Sequence, residues 1–240
     1  MRFALSIPML LGLACAHAEG NPPPPASGPE GPVIVELFTS QGCSSCPSAD
    51  RVLSKLARSS EVGGRKVAPL SFHVDYWNDL GWEDPYSRPA WTERQRQYAH
   101  ALGDDRVYTP EIVVAGAKGM IGSHASAVVQ SVAEAPRPAL LPATAKWTAD
   151  HVEITATAPA DADVLVAVWE AERAVKVTRG ENTGETLTNN RIVRRLERVA
   201  AAGKPGTLTV TLDPKWKAVG AVAFAQRADK RIVASALLPR

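Results

Sequence analysis

Two cysteines separated by two residues, Cys43 and Cys46, have the spacing in this sequence that is most suggestive of chemistry. An apolar run ends just before them and a helical pattern begins just after, which predicts the pair at the N-terminus of a helix. There the positive end of the helix dipole and the unpaired backbone N–H groups favour a thiolate over a thiol. Because the thiolate is the form that attacks disulfides, the motif favours thiol–disulfide exchange.

A Cys-x-x-Cys pair also occurs in zinc sites and as a structural disulfide. Zinc usually needs four ligands, and outside the predicted signal peptide the chain has no second cysteine pair and no paired histidines. A structural disulfide closing so short a loop removes little entropy from the unfolded chain. The sequence therefore favours a redox centre that is a disulfide at rest, with no metal site and no cofactor, while the other two uses stay open.

The first 18 residues have the pattern of a secretory signal peptide. A basic start at Arg2 and an apolar run over residues 3–13 precede a small-x-small site that predicts cleavage after Ala18. Lipidation at Cys15 is the alternative, and no later apolar run reaches the roughly 20 residues of a membrane helix. We therefore expect a periplasmic or secreted protein without a membrane span, in an oxidising compartment that permits a disulfide.

The charge balance excludes one class of partner. The chain has 27 basic and 25 acidic residues, a net charge of +2, and cleavage would remove only the charge of Arg2. No dense run of Lys and Arg compensates, so nucleic acid is not an expected partner.

Two proline-rich segments divide the chain. Residues 19–31 predict a disordered leader, and a second break near residue 138 separates an α/β domain over residues 32–137 from a β-rich domain over residues 140–240. Hydrophobic periodicity predicts β-α-β-α-β-β-α in the first domain, with Ser123 capping its last helix. The second predicts an all-β sandwich-like domain, with a possible helix over residues 192–202 and a long hairpin loop over residues 179–185.

The order of elements, the cysteine pair before the first helix and Pro110 at the mouth of a later strand together resemble the thioredoxin superfamily. That resemblance implies a cis Thr109–Pro110 bond close to Cys43, with the Thr109 backbone aimed at a substrate strand. It also implies that Cys43 is the more exposed, attacking cysteine and that Cys46 resolves the mixed disulfide. The alternative for Pro110 is an ordinary trans proline that begins a strand.

Glu36 interrupts the apolar run before the cysteines. In thioredoxins a buried carboxylate on this strand helps to move protons for the resolving cysteine, and the resemblance offers Glu36 for that role. The alternative is a structural carboxylate that is paired with an arginine or exposed at an edge.

Residues 76–91 are an aromatic-rich insertion after a predicted strand. Trp77 and Trp82, with His73 at the end of that strand, are candidates for the wall of a substrate groove around Cys43. The alternatives are a small satellite core for the aromatic side chains and a structural role for the histidine.

A closer resemblance rests on three motifs, at residues 36–47, 73–78 and 81–85. They are similar to a family of secreted bacterial proteins, domain of unknown function 1223, with a thioredoxin-like domain followed by a β-rich one. The combined reading is an exported thiol–disulfide oxidoreductase acting on cysteine-containing envelope proteins or a redox partner. The alternatives are a periplasmic copper carrier that uses the same thiolates and a thioredoxin-fold binding scaffold.

Overall fold

The computed structural model describes residues 28–104 and 106–240. The predicted signal peptide, Cys15 and residues 19–27 of the predicted leader lie outside this part. The described part holds three α-helices, α1 (Cys46–Ser59), α2 (Pro89–Leu102) and α3 (Ala125–Glu134), and a short 3-10 helix (Asn78–Leu80). None of these helices is long and apolar enough to cross a membrane.

Fifteen strands are defined in the same part of the chain: β1 (Val33–Thr39), β2 (Glu61–Val62), β3 (Arg65–His73), β4 (Glu111–Val114), β5 (Lys118–Ile121), β6 (Ala139–Leu140), β7 (Ala143–Trp147), β8 (His151–Thr157), β9 (Asp163–Glu170), β10 (Arg173–Lys176), β11 (Thr186–Asn189), β12 (Ile192–Ala200), β13 (Pro205–Thr211), β14 (Val219–Gln226) and β15 (Ile232–Leu238). The result is a mixed, sheet-rich α/β fold. Its first seven main elements follow the predicted β-α-β-α-β-β-α order, with the short β2 added before β3.

The strands form one large sheet and two small ones. The large sheet has the order β5-β4-β1-β3-β12-β9-β14-β15-β6, with β2 beside β3. A three-stranded sheet has the order β13-β8-β7, and β10 and β11 form a separate hairpin. Parallel pairing of β1 with β3 and antiparallel pairing of β1 with β4 place β1 in the interior of the large sheet.

Helices cover both faces of β1, and all seven of its residues are therefore buried. Side chains of a strand alternate between its two faces. Val35 and Leu37 pack with Leu53 of α1, whereas Ile34 and Phe38 pack with Tyr98 of α2. The short connection after Thr39 therefore leads from the buried end of β1 to the start of α1 at Cys46.

The large sheet continues across the predicted domain boundary. β12 joins β3 in parallel through Ile192 and Ser71, and the Ser71 N–H donates to the Arg191 carbonyl at 2.8 Å. Residues from both halves, including Phe72 and Phe224, share one hydrophobic cluster. The helix considered for residues 192–202 is wrong: residues 192–200 form β12, because this segment pairs along its length with β9 and at Ile192 also with β3.

A second hydrophobic cluster lies between the C-terminal part of the large sheet and the three-stranded sheet. It contains Val152 and Ile154 of β8, Val164 and Val166 of β9 and Ala223 of β14. Two sheets that face each other across apolar side chains bury one face of each.

Two local expectations differ from the structure. Residues 28–31, the end of the predicted disordered leader, are docked: the Gly31 N–H donates to the Pro138 carbonyl at 3.0 Å, and Arg137 donates to Glu30 at 2.7 Å. Backbone pairing and the ion pair fix these residues. Ser123 does not cap α3, since the N-cap residue is His124 and no side chain caps the helix.

Candidate functional site at the Cys43–Cys46 disulfide

Cys43 and Cys46 form a disulfide, as the sequence predicted, with Cα atoms 5.4 Å apart. The bond lies where β1 gives way to α1, and Pro47 occupies the first turn of the helix, where its missing N–H costs nothing. A turn holds the loop, since the Cys46 N–H donates to the Cys43 carbonyl at 3.2 Å. The Ser45 hydroxyl lies 3.4 Å from the Cys43 sulfur, within hydrogen-bond reach.

Both cysteines are fully buried. The expectation that Cys43 is the more exposed of the two is therefore wrong for this state of the protein. A segment from the second half of the chain, residues 177–185, connects β10 to β11 and contacts residues 41–44 of the loop over residues 40–46, which we call the cysteine loop. We call this connection the cap segment. It matches the predicted hairpin loop, but nothing in the sequence indicated where it would lie.

The cap segment is held by polar contacts to the cysteine loop. The Asn182 side-chain amide donates to the backbone carbonyls of Gln41 at 2.9 Å and Cys43 at 3.0 Å. The carboxylate of Glu181 accepts from the Ser44 N–H at 2.9 Å. That N–H lies at the start of α1, where anions are stabilised, and hydrogen bonds from the Ser44 hydroxyl and backbone N–H lower the pKa of Glu181. Asn182 is buried while Glu181 is exposed.

Gln41 connects the cysteine loop to three other segments. Its backbone N–H donates to Asp84 at 2.8 Å and its side-chain amide donates to Asn189 at 2.8 Å. The side-chain carbonyl of Gln41 accepts from the Trp82 indole N–H at 3.3 Å, and the backbone carbonyl of Gln41 accepts from the Asn182 amide. A fully buried glutamine with all these groups paired fixes the loop that precedes the disulfide.

His73 is fully buried and pairs with Asp84 at 2.7 Å through Nδ1. Burial opposes protonation of His73, but attraction to Asp84 and Asp50 outweighs it and raises the pKa of the imidazole. Burial likewise opposes ionisation of Asp84, but the His73 partner and the N–H groups of Gln41 and Tyr86 lower its pKa. His73 therefore holds Asp84, which in turn accepts from the Gln41 N–H of the cysteine loop. Because His73 is fully buried, the expectation that it lines an open groove is wrong.

Asp50 is a site residue that the sequence reasoning missed. It lies on α1 four residues after Cys46, a spacing that puts both on one face of the helix. Its carboxyl group is buried, which raises its pKa to about 6 even though His73 attracts the charged form. One oxygen of Asp50 and Nε2 of His73 have no hydrogen-bond partner. Such a carboxyl group can give or take a proton near neutral pH.

The predicted cis Thr109–Pro110 bond is present. The Trp77 indole N–H donates to the Thr109 hydroxyl at 2.8 Å, and a Cβ atom on Gly42 would lie 3.2 Å from the Trp77 Cβ. Trp77 thus lies between the proline loop and the residue before Cys43. Trp77 and Trp82 are both half-buried and contact the cysteine loop or its neighbours, but neither lines the groove beside the disulfide.

Glu36 points to the other face of the sheet. Its carboxylate accepts from Arg94 Nε at 2.5 Å and Nη2 at 2.9 Å and from the Tyr98 hydroxyl, all on α2. Strand alternation explains this, since Leu37 and not Glu36 faces α1. Glu36 is therefore the structural, arginine-paired carboxylate that was the alternative in the sequence. Proton transfer from Glu36 to Cys46 has no geometric support, because the two residues lie on different sides of the strand.

A polar groove of about 640 Å³ opens beside the disulfide loop. Its walls are the start of α1, including Ser44, Ser45 and Arg51, and the β11 residues Thr186 and Thr188. No group of three or more His, Cys, Asp or Glu side chains in the described part of the chain is placed to hold a metal ion.

Comparisons with known proteins give a family and two structural relatives. A crystal structure of a protein from Agrobacterium tumefaciens is 30% identical, with a TM-score of 0.66, over 88% of this chain and 96% of that one. HBP35 of Porphyromonas gingivalis is similar in fold at 14% identity, with a TM-score of 0.57, over 88% of this chain and 76% of that one. A search of curated proteins gives no match. The family model described as a protein of unknown function, DUF1223, matches residues 34–226, and the chain belongs to that family.

Proposed function

We propose that this protein is an exported thiol–disulfide oxidoreductase with a thioredoxin-like N-terminal half and a sandwich-like C-terminal half. Its substrates would be cysteine-containing proteins of the cell envelope or a dedicated redox partner. One observation carries the proposal: the Cys43–Cys46 disulfide lies at the start of α1, and Trp77 connects its loop to the cis Thr109–Pro110 bond.

The chemistry requires two displacements at sulfur. A substrate thiolate attacks Cys43, a new S–S bond forms, and the Cys43–Cys46 bond breaks with its electron pair on Cys46. A second substrate thiolate then attacks the mixed disulfide and releases Cys43 as a thiolate. The substrate dithiol is oxidised by two electrons, and the protein disulfide is reduced by two. The reverse sequence reduces a substrate disulfide.

Two features of the site suit these steps. The backbone N–H groups at the start of α1 stabilise negative charge on Cys43. Asp50, one turn after Cys46, supplies the proton that the leaving Cys46 thiolate needs and takes it back in the reverse direction. The groove between Ser45 and Thr188 supplies an approach for an extended peptide beside the cysteine loop.

A pair of single substitutions tests the proposal. Cys46→Ser leaves Cys43 without its resolving partner, so a model peptide with an internal disulfide should accumulate as a mixed disulfide at Cys43. Cys43→Ser is the matched control, because Cys46 is further inside the helix, and we expect at least tenfold less adduct. Mass spectrometry after acid quenching measures both.

The outcomes separate the hypotheses. Equal adduct on both variants would overturn the role of Cys43, and no adduct on either at neutral pH would overturn the function. In the second case, stoichiometric Cu(I) binding by the reduced protein that is lost in Cys43→Ser would favour a metal carrier. Wild-type behaviour in cells of the double Cys→Ser variant would favour a binding scaffold.

A further inference from the structure

Thiol exchange cannot occur while the disulfide stays buried. Exchange needs an attacking sulfur in line with the S–S bond, and both cysteines are fully buried. The side-chain hydrogen bonds from the cap segment to the cysteine loop come from two adjacent residues, Glu181 and Asn182. Movement of this connection would break these bonds without breaking a strand pairing of the large sheet.

One of these contacts depends on the redox state. Glu181 places a carboxylate on the Ser44 N–H, at the helix end where a Cys43 thiolate would also be stabilised. In the disulfide form Cys43 is neutral, and the carboxylate has no competitor. After reduction two negative charges would share one helix terminus and repel each other, although water screens the repulsion because Glu181 is exposed.

We propose that residues 177–185 form a redox-sensitive cap that closes over the disulfide and is released when the disulfide is reduced. Glu181 is its sensing residue and Asn182 is its anchor. The proposal rests on the proposed function only in requiring a reducible disulfide. By linkage, a cap that prefers the oxidised form must also favour oxidation, so weakening it makes the protein easier to reduce.

The covalent step is a two-electron reduction. A chemical reductant such as a phosphine or a dithiol breaks the Cys43–Cys46 bond and is itself oxidised, leaving a Cys43 thiolate and a Cys46 thiol that has gained one proton. Release of the cap changes no covalent bond. It exchanges the Glu181 contact to Ser44 for contact with water.

Amide hydrogen exchange measured by NMR tests the proposal, because the Ser44 N–H is itself the group that Glu181 binds. In the wild type we expect this amide to exchange at least tenfold faster after phosphine reduction. Glu181→Gln should already exchange fast when oxidised and respond less than about threefold to reduction. Glu185→Gln is the matched control, since it makes the same charge change on an exposed residue at the end of the cap segment.

Two equilibrium and rate measurements complete the test. Glu181→Gln should raise the equilibrium constant for reduction about tenfold, which is a potential about 30 mV less negative for two electrons. Asn182→Ala should speed phosphine reduction at least tenfold, because it removes both contacts to the carbonyls of Gln41 and Cys43. Asn190→Ala is its control: Asn190 bonds Ser54 at 2.9 Å, further along α1.

The failures are distinguishable. If the wild type is reduced but Ser44 exchanges equally in both states, or if Glu181→Gln and Glu185→Gln behave alike, the cap proposal is wrong and the function stands. A protein that responds to phosphine as expected but never exchanges with peptide disulfides keeps the cap and loses the function. A disulfide that resists phosphine in both the wild type and Asn182→Ala overturns both.

Discussion

The large sheet carries a buried charged network on each face, and the two networks are built differently. On the α2 face, Glu36 and Arg94 form a paired network with Tyr98 and Gln226. On the α1 face, Asp50, His73 and Asp84 lie behind the disulfide with Thr39 and Asn189. For clarity we call them the paired network and the disulfide network.

Every charge in the paired network is matched. Arg94 binds both oxygens of Glu36, and the Tyr98 hydroxyl donates to Glu36 and accepts from Gln226 at 2.8 Å. Burial opposes the charge of Arg94, but attraction to Glu36 outweighs it and raises the pKa of the guanidinium, so Arg94 stays charged. Such an arrangement holds two halves of the chain together and has no free position for a reaction.

The disulfide network is only partly matched. Asp84 is saturated by His73, Gln41 and Tyr86, whereas Asp50, His73 and Thr39 each keep an unpartnered polar atom. A buried polar atom without a partner costs free energy, so these atoms mark where the fold gives up stability. The paired network is thus built for stability, whereas under the proposed function the disulfide network would exchange protons beside sulfur.

The largest effect that separates the networks should come from Arg94→Met, which leaves Glu36 buried and unpaired. We expect a loss of about 3–5 kcal/mol in the free energy of unfolding, measured with chemical denaturant. Arg96→Met is the control on the same helix, because Arg96 is exposed and lies 3.9 Å from Glu93; its loss should stay under about 1 kcal/mol. Similar losses in the two variants would show that Glu36–Arg94 is not a stabilising pair.

The second effect is the pH dependence of Asp50. Its pKa is raised from 3.8 to about 6 in the folded protein, so the folded state holds a proton that the unfolded state releases between these values. This contribution to stability is full below about pH 4 and is lost as the pH rises through about 6. Asp50→Asn should therefore gain stability relative to the wild type, by up to about 3 kcal/mol, between pH 4 and pH 8.

His73, Asp84 and Arg194, the charged groups nearest to this cluster, are present in both proteins. Because Asp50 also helps to raise the pKa of His73, the difference between the two unfolding curves reports Asp50 together with its effect on His73. A difference that stays constant from pH 4 to pH 8 would mean that Asp50 titrates as an ordinary carboxyl group.

A third, smaller comparison removes one hydroxyl from each network. Tyr98→Phe should cost about 1–3 kcal/mol, because Glu36 and Gln226 lose a buried partner. Thr39→Val should cost under about 1 kcal/mol, since the Thr39 hydroxyl contacts the Asp50 carboxyl group without a well-formed hydrogen bond. Thermal or denaturant unfolding at pH 7 measures both, and an equal cost would contradict the contrast between the networks.

The last effect concerns the rate of exchange rather than stability. Asp50→Asn removes the group that exchanges a proton with Cys46, and we expect about tenfold slower exchange with a peptide disulfide at pH 6, equal to about 1.4 kcal/mol. Asp79→Asn, an exposed carboxylate change, should leave the rate unchanged. Equal rates for the wild type and Asp50→Asn would remove Asp50 from the mechanism.

The sequence predicted the local parts of this site well. Apolar periodicity located β1 and α1, the cysteine spacing predicted the disulfide, and a resemblance predicted the cis bond at Pro110. These features depend on residues close together in the chain or on a shared motif. The sequence could also have predicted that Glu36 points away from α1, because strand alternation puts its neighbour Leu37 on the α1 side.

The rest depends on contacts between distant residues. Ser44 and Glu181 are 137 positions apart, and no pattern in either segment indicates that they meet. The turn residues around Gly180 predicted a loop but not its place, which the pairing of β12 with β3 decides. The contacts of Glu181 and Asn182 with the cysteine loop depend on that placement and were therefore missed.

The central claim, that the Cys43–Cys46 disulfide is a reversible redox centre, is tested most directly by its reduction potential. The folded protein would be equilibrated in a series of dithiothreitol or glutathione redox buffers and quenched by alkylation. Mass spectrometry would then give the fraction of protein with the disulfide reduced. We predict a single reversible two-electron transition with the fold retained throughout. Its potential should be less negative than about −300 mV, the value below which structural disulfides typically lie. A disulfide that is reduced only when the protein unfolds would contradict the account.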